Sequence, residues 1–446
     1  MQPRAYGGKN RADAVAFAEV FAVALAARLA FVLPVRPVPV SDFGWYLDRA
    51  IGLVHGLGYT LHGYPTALWP PGWPYFLAGI VWLFGANVLA IEVVQAILNA
   101  LLAGVAFLIG RELFGRGAGI VAGCAYAFLP SAIEWNATLA SEPLYALLCA
   151  LGIYVWIKCA PRQLGWFALS GVILGAAALV RPSALLYAIV PLAYALIVRT
   201  ERAQLRAWAG AVAMTVLCTA IVIAPMIVRN YRVFGTFVLI SNNGGTSLYE
   251  GNNPNSMGAD SVLQNARIER LLLNPRTEPE GDKLASKLAI AYMLAHPKRE
   301  LVLALKKTKA LYVSDDSMIR FTLRSRHFRE PVSPPPSDRL ASALVVVNTV
   351  AYYAFMLFAL YGLMLCFFKP SVATSPRWGV LLGLILYNTA VFAVITGVER
   401  YRYPMMPYFS VFAGLGFIAA WSFVRERAGV TGNPLKRLNP ERARIP

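Results

Sequence analysis

Four short stretches of the chain bring together side chains able to move a proton and hold an anion. "SDFGWYLDRA" places Asp42, Trp45, Tyr46 and Asp48 directly after the first hydrophobic segment. "EWNATLASEPLY" carries Glu134 and Glu142, and "ALVRPSALLY" carries Arg181 where two short hydrophobic halves meet. "TGVERYRYPMMPY" carries Glu399, Arg400 and Arg402 just before the last hydrophobic segment. A carboxylate can take the proton from an incoming hydroxyl, a role worth ~10²–10⁴-fold in rate. A guanidinium can hold a departing phosphate by charge-assisted, two-pronged hydrogen bonds. Acids and arginines together therefore suit group transfer from a phosphate to a hydroxyl.

Each residue also has a plainer reading. Asp48 fits a solvated helix face, and Glu142 before Pro143 fits the first turn of a helix, where an acid favours the dipole. Arg400 and Arg402 fit snorkelling to lipid head groups. Arg181 is harder to explain that way, because an ionisable residue amid apolar sequence is costly unless paired or functional. Glu92, Gln95 and Asn99 share one helical face and read as glue between helices.

The elements that must position these residues lie in a membrane. Hydrophobic residues make up 58% of the chain, charged residues 14%, and the mean hydropathy is +0.55. A soluble domain carries about 25% charged residues. Hydrophobic runs of spanning length, about 20 residues, start near Val15, Val88, Ala118, Glu142, Trp166, Ala184, Ala207, Leu340, Trp378 and Pro404. Basic residues punctuate the alternate loops: Arg111 and Arg116; Lys158 and Arg162; Arg199, Arg202 and Arg206; Lys369 and Arg377. Both termini are basic as well, and the formal net charge is +18. By the positive-inside rule these are cytoplasmic topology signals that also favour anionic lipid, not nucleic-acid sites.

"PPGWPYFLAGIVWLFG", Pro70 to Gly85, is apolar but short and fronted by prolines. If it crossed, every later basic loop would be inverted, so it reads as a re-entrant or interfacial helix on the outer face, with a short hairpin as the other arrangement. The fold class expected is an all-α polytopic membrane protein with about ten transmembrane helices. Re-entrant or juxtamembrane helices and a small, mainly helical periplasmic subdomain would complete it. The division expected is a transmembrane module over 1–228 with a catalytic first outer loop at 34–87, a periplasmic subdomain at 229–339, further transmembrane helices at 340–424, and a basic cytoplasmic tail at 425–446. "REPVSPPPSD" reads as a proline-rich linker back to the bilayer.

The five cysteines, Cys124, Cys149, Cys159, Cys218 and Cys366, fall in or beside hydrophobic spans and define no disulfide framework or metal motif. No cleavable signal is evident, and Val15 to Leu33 reads as a retained anchor. "NAT" at Asn136 is a short match of the kind chance produces. On this topology the acids and arginines converge on the outer face, beside tryptophans. That combination suits a sugar donor attached to a lipid phosphate: spans cradle the lipid, tryptophans stack on sugar, and no nucleotide-binding glycine loop is needed.

The sequence here resembles the GT-C glycosyltransferases, in particular the branch similar to protein O-mannosyltransferases (family 39), the aminoarabinose transferase of lipid A and the RgtA/B/C/D-like group. The resemblance covers most of the chain. It rests on the order of "SDFGWYLDRA", "PTALWPPGWPYFLAGIVWLFG", "RELFGRGAGIVAGCAYAFLPSAIEWNATLASEPLYALL", "LVRPSALL", "SNNGGTSLYEGNNPNSMG" and "ERYRYPMMPYF". It implies a GT-C fold, with Asp42 as catalytic base and Glu142 as a second acid at the outer start of the fourth span. Arg181, Arg400 and Arg402 would bind the donor phosphate. Trp45, Tyr46, Trp69, Trp73, Asn252, Asn253, Glu399 and Tyr401 would face sugar or acceptor. Two departures stand out: many relatives carry a basic residue where this chain has Leu68-Trp69, and several have Asp in place of Glu142.

The function expected is an inverting transferase in the inner membrane. It would move a sugar from a polyprenyl-phosphate donor to a periplasmic acceptor such as lipid A or lipopolysaccharide, another glycolipid or a protein. No metal ligand set is evident, and a divalent cation is left open as a cofactor. The alternative is a transporter or flippase of lipid-linked sugars, which would place ionisable residues near the midplane and show inverted repeats.

Overall fold

The computed structural model describes residues 4–35, 38–39, 41–197, 202–258, 263, 265–323 and 338–428. The proline-rich linker, Arg199 and most of the basic tail lie outside the described residues. The protein is almost wholly helical. Helix α1 (Arg4–Val32) leads into the short α2 (Asp42–Val54), then a two-residue antiparallel pair, Thr60–Leu61 with Tyr64–Pro65. Next come α3 (Gly72–Phe84), α4 (Val88–Phe114), α5 (Arg116–Ala127), α6 (Pro130–Glu134), α7 (Glu142–Lys158) and α8 (Leu164–Val180). A 3₁₀ stretch, Pro182–Ile189, runs into α9 (Val190–Ile197), and α10 (Arg202–Phe234) follows. Five shorter helices follow: α11 (Gly244–Gly251), α12 (Ala266–Leu273), α13 (Glu278–Ala295), α14 (Pro297–Tyr312) and α15 (Ser317–Leu323). The chain returns through α16 (Asp338–Phe368) and α17 (Trp378–Val394), and a 3₁₀ turn, Glu399–Met405, opens into α18 (Met406–Arg427).

The protein is polytopic. Among the described residues five helices are long and apolar enough to cross a membrane, six if the bent pair Arg116–Ala127 and Pro130–Ala137 is one span. The other expected spans are helical but shorter: α7, α8 and α17 have 17 residues each. At 1.5 Å per residue such helices reach about 25 Å, just under a typical hydrocarbon core. Helix α3, at 13 residues, is too short to cross unaided. The expected boundary at 228–229 falls inside α10, which continues to Phe234.

Small residues let these elements close up. A Cβ on Gly72 would stand 2.6 Å from the backbone of Leu179 and Val180. The start of α3 therefore presses on the end of α8, one residue before Arg181. Arg111 pairs with Asp13, and Arg377 Nη1 donates to the Ile157 and Cys159 carbonyls, so these basic residues gather at one end of the bundle. Asp42, Glu142, Arg181 and Arg400 gather at the other.

The first loop and the later insert meet at that second end. Glu278 accepts hydrogen bonds from the Thr66 hydroxyl and the Ala67 N–H, and Asn242 N–H donates to the Ala67 carbonyl. Arg229 donates to the Thr66 and Tyr59 carbonyls. Leu68 packs on a small core of Ile268, Leu272 and Ala285.

Candidate active site

Asp42 opens α2, in the first turn, where the helix dipole favours a carboxylate. The residue before it, Ser41, has φ 54°, a left-handed conformation uncommon for a side-chain-bearing residue and found disproportionately at functional sites. Asp42 Oδ2 accepts from Arg400 Nη1 at 2.8 Å, and 26% of its side chain stays exposed. Arg400 Nε donates to Glu142, which is fully buried. Glu142 Oε1 also accepts from Arg181 Nη2 at 2.5 Å, while Arg181 Nε donates to Ser141 Oγ at 3.0 Å. Four charges from four separated stretches thus form one chain: Asp42, Arg400, Glu142, Arg181.

The chain of charges is enclosed by rings. The Arg400 guanidinium lies 5.4 Å from Phe43 and 5.8 Å from Trp135, and that of Arg181 lies 5.7 Å from Tyr401. Trp45 meets Tyr46 edge-on at 5.8 Å and Trp69 at 6.4 Å. Tyr46 is buried; burial and the Asp42 charge hold its phenol well above the usual range. Arg181 Nη1 and Arg400 Nη2 have no hydrogen-bond partner among the described residues, so each arginine keeps an N–H edge to offer an anion.

Other expected site residues are engaged elsewhere. Arg402, 1% exposed, pairs with Asp315 and donates to the Leu311 carbonyl and the Tyr352 hydroxyl, so it is sealed away from Arg400's cluster. Trp73 is buried, with Nε1 donating to the Leu139 carbonyl at 2.9 Å, and offers no face to a sugar. Asn252 is buried, donating to the Leu248 and Val394 carbonyls and accepting from Lys307. Asn253 folds back on the Tyr249 carbonyl. Both asparagines close the end of α11 instead of facing a ligand. Glu399 accepts from Ser314 and Ser317, at the start of α15. Tyr401 stacks on Phe392 at 4.6 Å while its other neighbour is Arg181, so it stays at the site's edge.

Two residues at this end were not legible beforehand. Glu250, near the end of α11, is half-buried; burial first and then the Asp42 charge push its carboxyl up to about 7. It is held there because α11 lies directly on the end of α17: a Cβ on Gly251 would stand 1.7 Å from the Ile395 carbonyl oxygen. Arg49, two turns along α2 from Asp42, lies 5.3 Å from the Trp45 ring, and its buried Nη1 has no hydrogen-bond partner. The spacing of Asp42, Trp45 or Tyr46, and Arg49 on one helical face was the available signal for Arg49. No group of three or more metal-ligating side chains occurs among the described residues.

Residues 69–228 match the family model described as dolichyl-phosphate-mannose-protein mannosyltransferase. That span holds Glu142 and Arg181 but neither Asp42 nor Arg400. Among solved structures, the chain is similar to the oligosaccharyltransferase AglB of Archaeoglobus fulgidus in complex with an inhibitory peptide and a dolichol-phosphate. The TM-score is 0.56 at 12% identity, over 95% of this chain and 52% of that one. The same enzyme in complex with zinc and sulfate gives a TM-score of 0.55 at 14% identity, over 94% and 52% of the two chains. The chain therefore spans about half the length of these solved relatives. A weaker likeness is to ArnT of Cupriavidus metallidurans bound to undecaprenyl phosphate: TM-score 0.45, 16% identity, 94% of this chain and 81% of that one. Among proteins of curated function none matches by sequence.

Proposed function

This chain has the GT-C fold, and on that premise we propose that it is an inverting glycosyltransferase using a polyprenyl-phosphate sugar. The observation that carries the reading is the ion-pair chain of Asp42, Arg400, Glu142 and Arg181 beneath an aromatic wall at one end of the bundle. The match of residues 69–228 and the dolichol-phosphate held by the solved oligosaccharyltransferase support a lipid-phosphate donor.

The acceptor hydroxyl oxygen attacks the anomeric carbon as the bond from that carbon to the phosphate oxygen breaks. The bonding pair leaves with the phosphate, and the hydroxyl proton passes to Asp42, the carboxylate of the pair that reaches solvent. One displacement inverts the anomeric centre. Arg181 and Arg400 meet the growing phosphate charge through their unused N–H edges. Since Asp42 and Glu142 already balance these two cations, Arg49 supplies the further positive charge, and Arg402 has no part. Trp45 and Trp69 flank the sugar. Glu142, buried and doubly paired, holds the arginines in place instead of moving a proton. The site opens to the periplasm, and the acceptor is lipid A or lipopolysaccharide, another glycolipid or a protein.

A transporter would carry its ionisable groups near the middle of the bundle; these stand at helix ends. The test is mass spectrometry of envelope glycolipids and glycoproteins from cells bearing the wild-type chain or Asp42→Asn. The expected result is a sugar lost from one product, transfer being slowed at least ~10²-fold, with normal folded yield. An unchanged product profile from well-folded Asp42→Asn overturns the reading.

A further inference from the structure

The helix ends farthest from Asp42 enclose a cavity of about 600 Å³ that the proposed reaction does not use. Arg162, Tyr194, Gln204, Trp208, Ser375 and Arg377 line it. Chain direction sets its character: α7 and α9 end here, while α8, α10 and α17 begin here. The starts of α10 and α17 thus put partial positive charge at the cavity wall, against the negative ends of α7 and α9.

The side chains add to that field. Arg377 Nη1 donates to the Ile157 and Cys159 carbonyls at 2.8 and 3.0 Å, closing the negative end of α7. Its guanidinium lies 5.3 Å from the Trp208 ring, which in turn stacks on Trp156 at 5.7 Å. Arg377 Nε and Nη2 have no hydrogen-bond partner among the described residues. Arg162 is exposed and forms no ion pair among them. Glu112, the acid whose charge Arg377 feels, is already paired with Arg111.

Greasy residues follow the cavity-lining Arg162 and Ala195 closely along the chain. Leu164, Trp166 and Leu196 stand 41%, 52% and 56% exposed at the same helix ends. These side chains sit on helices of the bilayer, where acyl chains are their neighbours, so a headgroup in the cavity would have its chains beside them. We propose that this cavity holds the headgroup of an anionic phospholipid from the leaflet opposite the candidate active site, its phosphate on Arg162 and Arg377 and its acyl chains along Leu164, Trp166 and Leu196. The proposal is independent of the transferase reading.

Native mass spectrometry of the full chain in detergent tests it, with phosphatidylglycerol, phosphatidylcholine and inorganic phosphate as probes. Phosphatidylglycerol should be retained at least about five-fold better than phosphatidylcholine, and Arg162→Gln should remove about that factor, the worth of one basic residue at an anionic surface. Arg377→Gln could also loosen α7, so Gln204→Glu serves as the second variant; it sets a repelling charge in the cavity without touching that cap. Arg116→Gln, at the same end but outside the cavity, should change nothing. Equal retention of the two lipids overturns the proposal, as does unchanged retention in folded Arg162→Gln and Gln204→Glu proteins. A loss in Arg116→Gln as large as in Arg162→Gln means diffuse attraction and also overturns it. Displacement of phosphatidylglycerol by millimolar inorganic phosphate assigns the cavity to the free anion and overturns the lipid source.

Discussion

Arg400 and Arg402 stand two positions apart on one 3₁₀ turn, yet they belong to different regions with different physics. Arg400 reaches the open end of the site, is shared by Asp42 and Glu142, and keeps 19% of its side chain exposed. Arg402 points the other way, into a sealed pocket with Asp315, where the two side chains are 1% and 4% exposed. Three residues per turn put positions two apart about 120° from each other around the axis, on different faces. The contrast teaches how to sort charges in a membrane protein. A cation sealed with one buried acid, and held by a carbonyl and a hydroxyl besides, ties elements together. A cation that bridges acids from separate elements and retains an open N–H edge can exchange partners with a ligand.

The largest expected effect breaks the sealed region. Arg402→Gln leaves Asp315 as an uncompensated buried charge, which should cost about 3–5 kcal/mol and show as a steep loss of detergent-extracted folded protein. Arg402→Met combined with Asp315→Leu should recover much of that stability, because no lone charge remains. Normal melting of Arg402→Gln with abolished transfer would invert the comparison.

In the open region the loss should fall on activity. Arg400→Gln should keep near-normal folded yield while transfer drops ~10–100-fold, the worth of a charge-assisted hydrogen bond of about 1.5–3 kcal/mol. Arg400→Lys keeps the charge without the fork and should recover only part of it. Initial rates against donor concentration separate weaker donor binding from slower chemistry.

Glu250 sharpens the contrast through pH. Its folded carboxyl titrates at about 7 against an ordinary 4.5, so between these values the folded protein binds more protons than the unfolded chain. Stability from this group therefore falls as pH rises through that window. Glu250→Gln cannot ionise. It should melt higher than wild type at pH 8, by at most about 3 kcal/mol, and equal to it at pH 4. An equal difference at both pH values would show that the carboxyl does not titrate there. The smallest effect is expected at Asp48, exposed on α2: Asp48→Asn should stay within about 0.5 kcal/mol and leave transfer unchanged.

Much of the architecture was legible because membrane helices announce themselves by length and hydrophobicity. The helical stretches at Val88, Ala207 and Leu340, and the short apolar helix at Pro70 to Gly85, stand where the sequence places them. Glu92, Gln95 and Asn99 are buried as their shared face implied, with Asn99 hydrogen-bonded to Tyr403 and the Ala132 carbonyl. The individual site residues were less legible. Nothing local separates Arg400 from Arg402, or Trp69 from the buried Trp73, since each pair shares residue type, neighbourhood and distance from a span. Asn252 and Asn253 look like a polar ligand edge in sequence, but Asn253 folds back on the Tyr249 carbonyl, and the Lys307 ammonium and Val394 carbonyl that engage Asn252 come from distant segments.

The sequence by itself determined that this protein lives in a membrane, that it is helical, and which stretches carry acids and arginines, because composition and periodicity are properties of contiguous residues. Only the tertiary structure decided which of those charges meet. The pairing of Asp42 with Arg400, 358 positions apart, and the close approach of Gly251 to Ile395 that holds Glu250 near them, depend on how helices cross. Crossing is set by packing between surfaces that no local pattern encodes.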